Sequence, residues 1–142
     1  MTNLSGKRCL IDTNLLVSYI NKNHPFHQKT KQIFLQIING DFQAVLSSQN
    51  ILELAAVLVH AFKIPKKEVA ADIEAIVNSH LFEFIYPTAN VLNKFFYLIK
   101  KETSLHMVDL FLIATALENQ VEVIITTDKK FKELKDISVW LI

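Results

Sequence analysis

Four carboxylates stand at places where a charge needs a reason: Asp12, Glu53, Asp109 and Asp128. Asp109 is the sharpest case. It lies near the start of HMVDLFLIATAL, residues 106–117, a stretch that reads as a helix apolar on every face. An ionised carboxylate in such surroundings must be neutralised, paired, hydrogen-bonded or bound to a metal. Several carboxylates brought into one partly apolar pocket repel each other, and they either share protons or take up a cation. An oxygen-only donor set, with no cysteine and no required histidine, favours Mg²⁺ or Mn²⁺ over zinc. One or two such ions activate water and stabilise the leaving oxygen of a phosphodiester. The chemistry expected of these four acids together is therefore metal-assisted phosphodiester hydrolysis.

That chemistry needs a scaffold that gathers them. Cys9-Leu10-Ile11 is a short apolar run ending at Asp12, and Val123-Ile124-Ile125 is another, followed by the turn Thr126-Thr127-Asp128. Both read as strands covered on both faces. Ala44-Val45-Leu46, Phe82–Tyr86 and Val139–Ile142 supply three further strands. Between them lie helices starting at Asn14–Leu15, from about Phe26 to Ile38, from Ser48 onward, from Pro65 as first helical residue to about Asn78, from a Thr88 cap, and over 106–117. Strands alternating with helices predict an α/β fold, a single domain over residues 1–142 with a mainly parallel sheet in a three-layer α/β/α sandwich. In such sheets ligands bind at the carboxyl ends of the strands, near the topological switch point. Asp12 and Asp128 fall there directly. Glu53 lies about two turns into the helix after the second strand and can still face that edge. Asp109 reaches it only under a particular helix packing.

Composition narrows the rest. The chain has 142 residues, 51% hydrophobic and 20% charged, enough for a sizeable core. Two glycines and three prolines leave no room for flexible linkers or a glycine-rich phosphate loop. A net charge of +1 advertises no global basic field. The single cysteine excludes an internal disulfide and a cysteine zinc cluster and fits a reducing compartment. Apolar runs fall short of a membrane span, and the first residues lack a signal-peptide core, so a soluble, cytoplasmic protein with no membrane contact is expected.

Each acid also has a plain structural role open to it. Asp12 and Asp128 are good helix caps. Glu53 has capping-box spacing to Asn50, although the helix starts earlier, at Ser48. Asp109 has only apolar neighbours, and a cap role stays open for it if the helix begins there.

Four segments carry a resemblance: IDTN at 11–14, SSQNILELAAVL at 47–58, HMVDLFLIATALEN at 106–119 and VIITTDKKF at 123–131. In order and spacing the chain resembles PIN-domain ribonucleases, particularly the VapC-type toxins of toxin–antitoxin pairs, over essentially its whole length. The resemblance implies a parallel sheet flanked by helices and an acidic cluster, Asp12, Glu53, Asp109 and Asp128, binding one or two Mg²⁺ or Mn²⁺ ions. Thr126 and Asn14 match polar positions that support it. RNA would be hydrolysed in line by activated water, leaving a 3′-hydroxyl and a 5′-phosphate. A cognate antitoxin and a homodimer are implied as well.

Lys129 and Lys130, with Lys132 and Lys135, follow Asp128, where they can meet RNA phosphates or form an ordinary solvated face. His24-Pro25-Phe26-His27 has metal-like spacing but lacks partners for zinc. His106 reads as a helix-start residue, and Phe95, Phe96, Tyr97 and Trp140 as core or interface. The rival readings are an RNA-processing PIN nuclease without an antitoxin, a non-catalytic PIN-like scaffold that binds RNA or protein, and an aspartate-dependent phosphatase. The last wants an acid at position 14, which is asparagine.

Overall fold

The alternation of apolar runs and amphipathic segments is realised as a wholly parallel sheet, seen in a computed structural model that describes residues 3–142. Its strands are β1 (Arg8–Ile11), β2 (Gln43–Ser47), β3 (Glu83–Ile85), β4 (Val123–Thr126) and β5 (Ser138–Leu141), in the spatial order β3-β2-β1-β4-β5. All four neighbouring pairs are parallel. The chain winds outward from β1 through β2 to β3, then returns to place β4 on the other side of β1. The switch point therefore lies between β1 and β4, where Leu10 pairs with Ile124 and Ile11 with Ile125.

Period-two alternation splits the core into two layers. Cys9, Ile11, Ala44, Leu46, Val123 and Ile125 point to one face. There they meet α1 (Thr13–Ile20), α2 (His27–Asn39), α3 (Ser48–His60) and α4 (Lys66–Asn78) through Leu15, Ile33, Phe34, Leu54, Leu58 and Val69. Leu10, Val45 and Ile124 point to the other face, against α5 (Val91–Ile99), α6 (Met107–Glu118) and Phe131 of the 3-10 turn Lys129–Glu133. This is the expected three-layer α/β/α arrangement. Sandwiched between the sheet and α5, α6 buries Leu110 and every residue from Leu112 to Ala116. That double coverage explains a helix without a polar face.

Several boundaries depart from expectation. Pro65 is the N-cap of α4, with φ −57° and ψ 138°, and not its first helical residue. Its carbonyl accepts from Glu68 and Val69. Thr88 does not cap α5. The helix starts after Asn90, and the Thr88 carbonyl instead accepts from the Val91 amide in a preceding turn. The first turn of α6 is also open, with Met107 52% and Val108 54% exposed, so that helix is walled in only beyond Asp109. At the amino ends of the strands, Arg8 pairs with Glu83 and donates to the Asn119 carbonyl, while Gln43 donates to the same Glu83. The chain's only arginine thus joins β1 to β3 across the intervening strand and to the end of α6.

Leu54 is fully buried beneath α3, whereas Leu52 on the same helix is 71% exposed. Leu54→Ala is expected to cost about 2–5 kcal/mol in a urea titration, the usual penalty for a core cavity. Leu52→Ala should stay within about 0.5 kcal/mol of the parent.

Candidate active site

Asp12 follows the last residue of β1, and its amide still donates to the Ile125 carbonyl of β4 at 3.0 Å. Its carboxylate is buried, 7% exposed, and makes no capping bond to α1. Instead Oδ2 accepts from the Thr126 hydroxyl at 2.6 Å. The same hydroxyl oxygen accepts from Asn14 Nδ2 at 3.3 Å and from the Asp128 backbone amide at 3.0 Å. A hydroxyl has one proton and two lone pairs. Both other partners are donors, so the proton must point to Asp12. Thr126 is saturated and ties the ends of β1 and β4, the start of α1 and the turn after β4 into one knot. Asn14 Oδ1 lies buried beside it with no hydrogen-bond partner among the described residues.

The remaining acids come from other elements. Asp128 is half-buried and caps the 3-10 turn, its Oδ1 accepting from the Lys130 amide at 2.9 Å. Asp109, also half-buried, is the third residue of α6 and accepts from the backbone amide of His106, the N-cap, at 3.2 Å. It therefore has a local partner that its apolar neighbours in sequence do not reveal, and His106 is the helix-start residue expected. Glu53 lies on the second turn of α3 and accepts from Gln49 Nε2 at 2.7 Å. Lys129 and Lys130 are exposed beside Asp128.

Four polar residues around these acids escaped the sequence reading as parts of a site. Ser47 caps α3, and its amide and hydroxyl both donate to Asn50 Oδ1, at 2.8 and 3.1 Å. Asn50 Nδ2 then donates to Thr13 Oγ1 at 3.0 Å, with all three residues buried. This latch fixes α3 against the residue next to Asp12. The Ser-x-x-Asn spacing of 47–50 was the available signal, since it closes a capping box. Gln49, one turn before Glu53, is the fourth, and the i, i+4 spacing of 49 and 53 marks it.

Electrostatics show that the acids sense one another. Burial pushes the Asp12 carboxyl up to about 7; Asp109 and Glu53 add repulsion, and the Thr126 hydrogen bond opposes the rise. Burial also raises Asp109, with Asp128 and Glu53 adding to it and His106 opposing. Neither ion pair among the described residues, Arg8–Glu83 or Lys101–Asp136, involves these acids. Negative charge is thus concentrated here without an ion pair to offset it among the described residues. Such an oxygen donor set suits a hard divalent ion. Among the described residues, no three His, Cys, Asp or Glu side chains converge tightly enough to ligate one ion as they stand. Gln49 holds Glu53 through Oε1 and the His106 amide holds Asp109 through Oδ2, so among the described residues each carboxylate keeps its other oxygen free to meet an ion. An open groove of about 740 Å³ runs alongside, lined by Leu52, Glu53, Phe95, Met107, Val108 and Phe111 among others.

The Asp12 shift has a stability consequence. Between its ordinary 3.8 and about 7, the folded chain keeps a proton on Asp12 that the unfolded chain releases. Raising pH through that window therefore favours unfolding. In EDTA, the melting temperature of the parent relative to Asp12→Asn should fall from pH 4 to pH 7 and level off above it. A flat difference across that range would contradict the shift.

The PIN domain family model matches residues 9–137. Among solved structures, the chain is similar to VapBC2 from Rickettsia felis, solved with a promoter DNA fragment, at 18% identity and TM-score 0.71 over 95% of this chain and 98% of that one. It is similar to the sarcin–ricin-loop-cleaving toxin VapC20 of Mycobacterium tuberculosis, at 16% identity and TM-score 0.72 over 88% and 93%. VapBC-1 from nontypeable Haemophilus influenzae matches at 20% identity and TM-score 0.69 over 94% and 97%. No curated protein sequence matches. With the parallel sheet, its switch point and the acids around it in place, the family match over most of the chain gives the conclusion: this protein belongs to the PIN domain family.

Proposed function

We propose that the protein is a Mg²⁺- or Mn²⁺-dependent endoribonuclease and the toxin of a toxin–antitoxin pair. The observation that carries this is the buried Asp12, its pKa raised further by Asp109 and Glu53 at the β1–β4 switch point, with no ion pair to any of these acids among the described residues. The PIN family and the likeness to toxins solved as VapBC complexes support it.

Asp12, Glu53, Asp109 and Asp128 would hold the ion or ions. A divalent ion bound there supplies Lewis acidity, making water a better nucleophile and neutralising charge that develops on the phosphodiester. Thr126 fixes the Asp12 carboxylate through its only proton, and Asn14 fixes Thr126. The latch from Asn50 to Thr13 keeps α3, and with it Glu53, registered against α1. Exposed Lys129 and Lys130 offer charge to RNA phosphates next to Asp128. Hydrolysis would leave 3′-hydroxyl and 5′-phosphate ends.

Two apolar surfaces support the partner assignments. Leu52, Met107 and Val108 are more than half exposed beside Glu53, where an apolar antitoxin segment would cover the acids. On α5, Leu92, Phe96 and Ile99 form an exposed stripe at helical spacing, a face suited to a second copy of the chain.

Asp12→Asn and Asp109→Asn proteins that retain the parent circular dichroism spectrum should lose Mg²⁺- or Mn²⁺-dependent RNA cleavage. Undiminished cleavage by either would remove that residue from the site. Induced expression of the wild type alone should arrest growth, whereas Asp12→Asn should not. Harmless expression of an active enzyme would instead favour RNA processing without an antitoxin. Mapping the ends of cleaved cellular RNA after induction would identify the target.

A further inference from the structure

Gln49 makes an arrangement that helix geometry alone does not require. Its Nε2 donates to Glu53 Oε1 at 2.7 Å and to the Val108 carbonyl at 2.8 Å, while its Oε1 is buried with no hydrogen-bond partner among the described residues. The amide has two protons, and each goes to an oxygen. Turning it over would set its own oxygen against a carboxylate and a carbonyl, so its orientation is forced. Val108 directly precedes Asp109. One side-chain amide therefore bridges the Glu53 carboxylate on α3 to the turn of α6 that carries Asp109. Among the described residues the Glu53 carboxylate has no other hydrogen bond.

A buried, unpartnered oxygen is unfavourable, and its persistence calls for a reason. We propose that Gln49 is a positioning residue that sets where the Glu53 carboxylate stands relative to Asp109, and so tunes cation affinity without touching the cation. The idea rests on the reading of Glu53 and Asp109 as parts of one cation site.

The test is Mn²⁺ titration followed by electron paramagnetic resonance, on the parent, Gln49→Met, Glu53→Gln and the double variant. Melting curves in EDTA accompany each protein. Methionine keeps the length of glutamine and removes both hydrogen bonds. Gln49→Leu repeats that loss with different packing, in case methionine perturbs the fold. Gln49→Met should weaken Mn²⁺ binding roughly 10-fold, as loss of a ligand-orienting partner typically does. Cleavage should lose kcat with little change in KM for RNA. Because Gln49 acts through Glu53, the double variant should bind Mn²⁺ no more weakly than Glu53→Gln. Parent-like Mn²⁺ binding by both Gln49 variants, with Glu53→Gln weakened, would overturn the proposal and leave the cation-site reading intact. Additive losses in the double variant would also overturn it, since Gln49 would then act as a structural tie. Parent-like binding by Glu53→Gln would instead remove Glu53 from the site, and the proposal with it.

Discussion

The hydroxyl of Thr126 has a single proton, and the two donors that already point at its oxygen leave Asp12 as the only place for that proton to go. This hydrogen bond joins the ends of two neighbouring parallel strands at the point where the sheet reverses its winding. The neighbouring elements take their positions from it. Asp12 opens α1, Asn14 follows within the first turn, and Asp128 leaves β4 to cap the next turn. A carboxylate this buried is costly when ionised, and the Thr126 bond offsets only part of that, so the Asp12 carboxyl stays well above its ordinary range.

Around that centre, Glu53 and Asp109 arrive on helices seated in the two core layers. Leu54 and Leu58 seat α3 on one face of the sheet, and the buried run of α6 seats it on the other. Glu53 and Asp109 thus approach the switch point from opposite layers. Polar side chains set the final register: Asn50 to Thr13 between α3 and α1, and Gln49 to Val108 between α3 and α6. Apolar packing is broadly tolerant of small shifts, whereas a buried hydrogen bond is directional. A division of labour follows, with the core supplying stability and the amides supplying alignment.

Legibility in the sequence varied with how local the determining physics was. Asp12 and Asp128 could be placed at strand ends because the apolar runs before them are short, continuous and bounded. The boundaries missed at Pro65 and Thr88 are one-turn matters, decided by backbone angles that neighbouring contacts select. For Asp109 the cap role left open by the sequence is the one the structure shows. Its nearest neighbours in sequence are apolar, yet the backbone amide three residues earlier donates to its carboxylate once the helix forms. Side-chain types do not announce backbone donors.

From its residues alone the chain determined the strand–helix alternation, the two-sided burial of β1 and β4, and the presence of acids at the carboxyl edge of the sheet. All three follow from periodicity and from the cost of burying charge, which act over a few residues. Tertiary structure alone decided that Thr126 gives its proton to Asp12, that Asp109 lies close enough to raise the Asp12 pKa, and that Gln49 and Asn50 bind α3 to its neighbours. Those outcomes join residues 37 to 114 positions apart. They depend on which helix faces which strand end, and no local pattern records that.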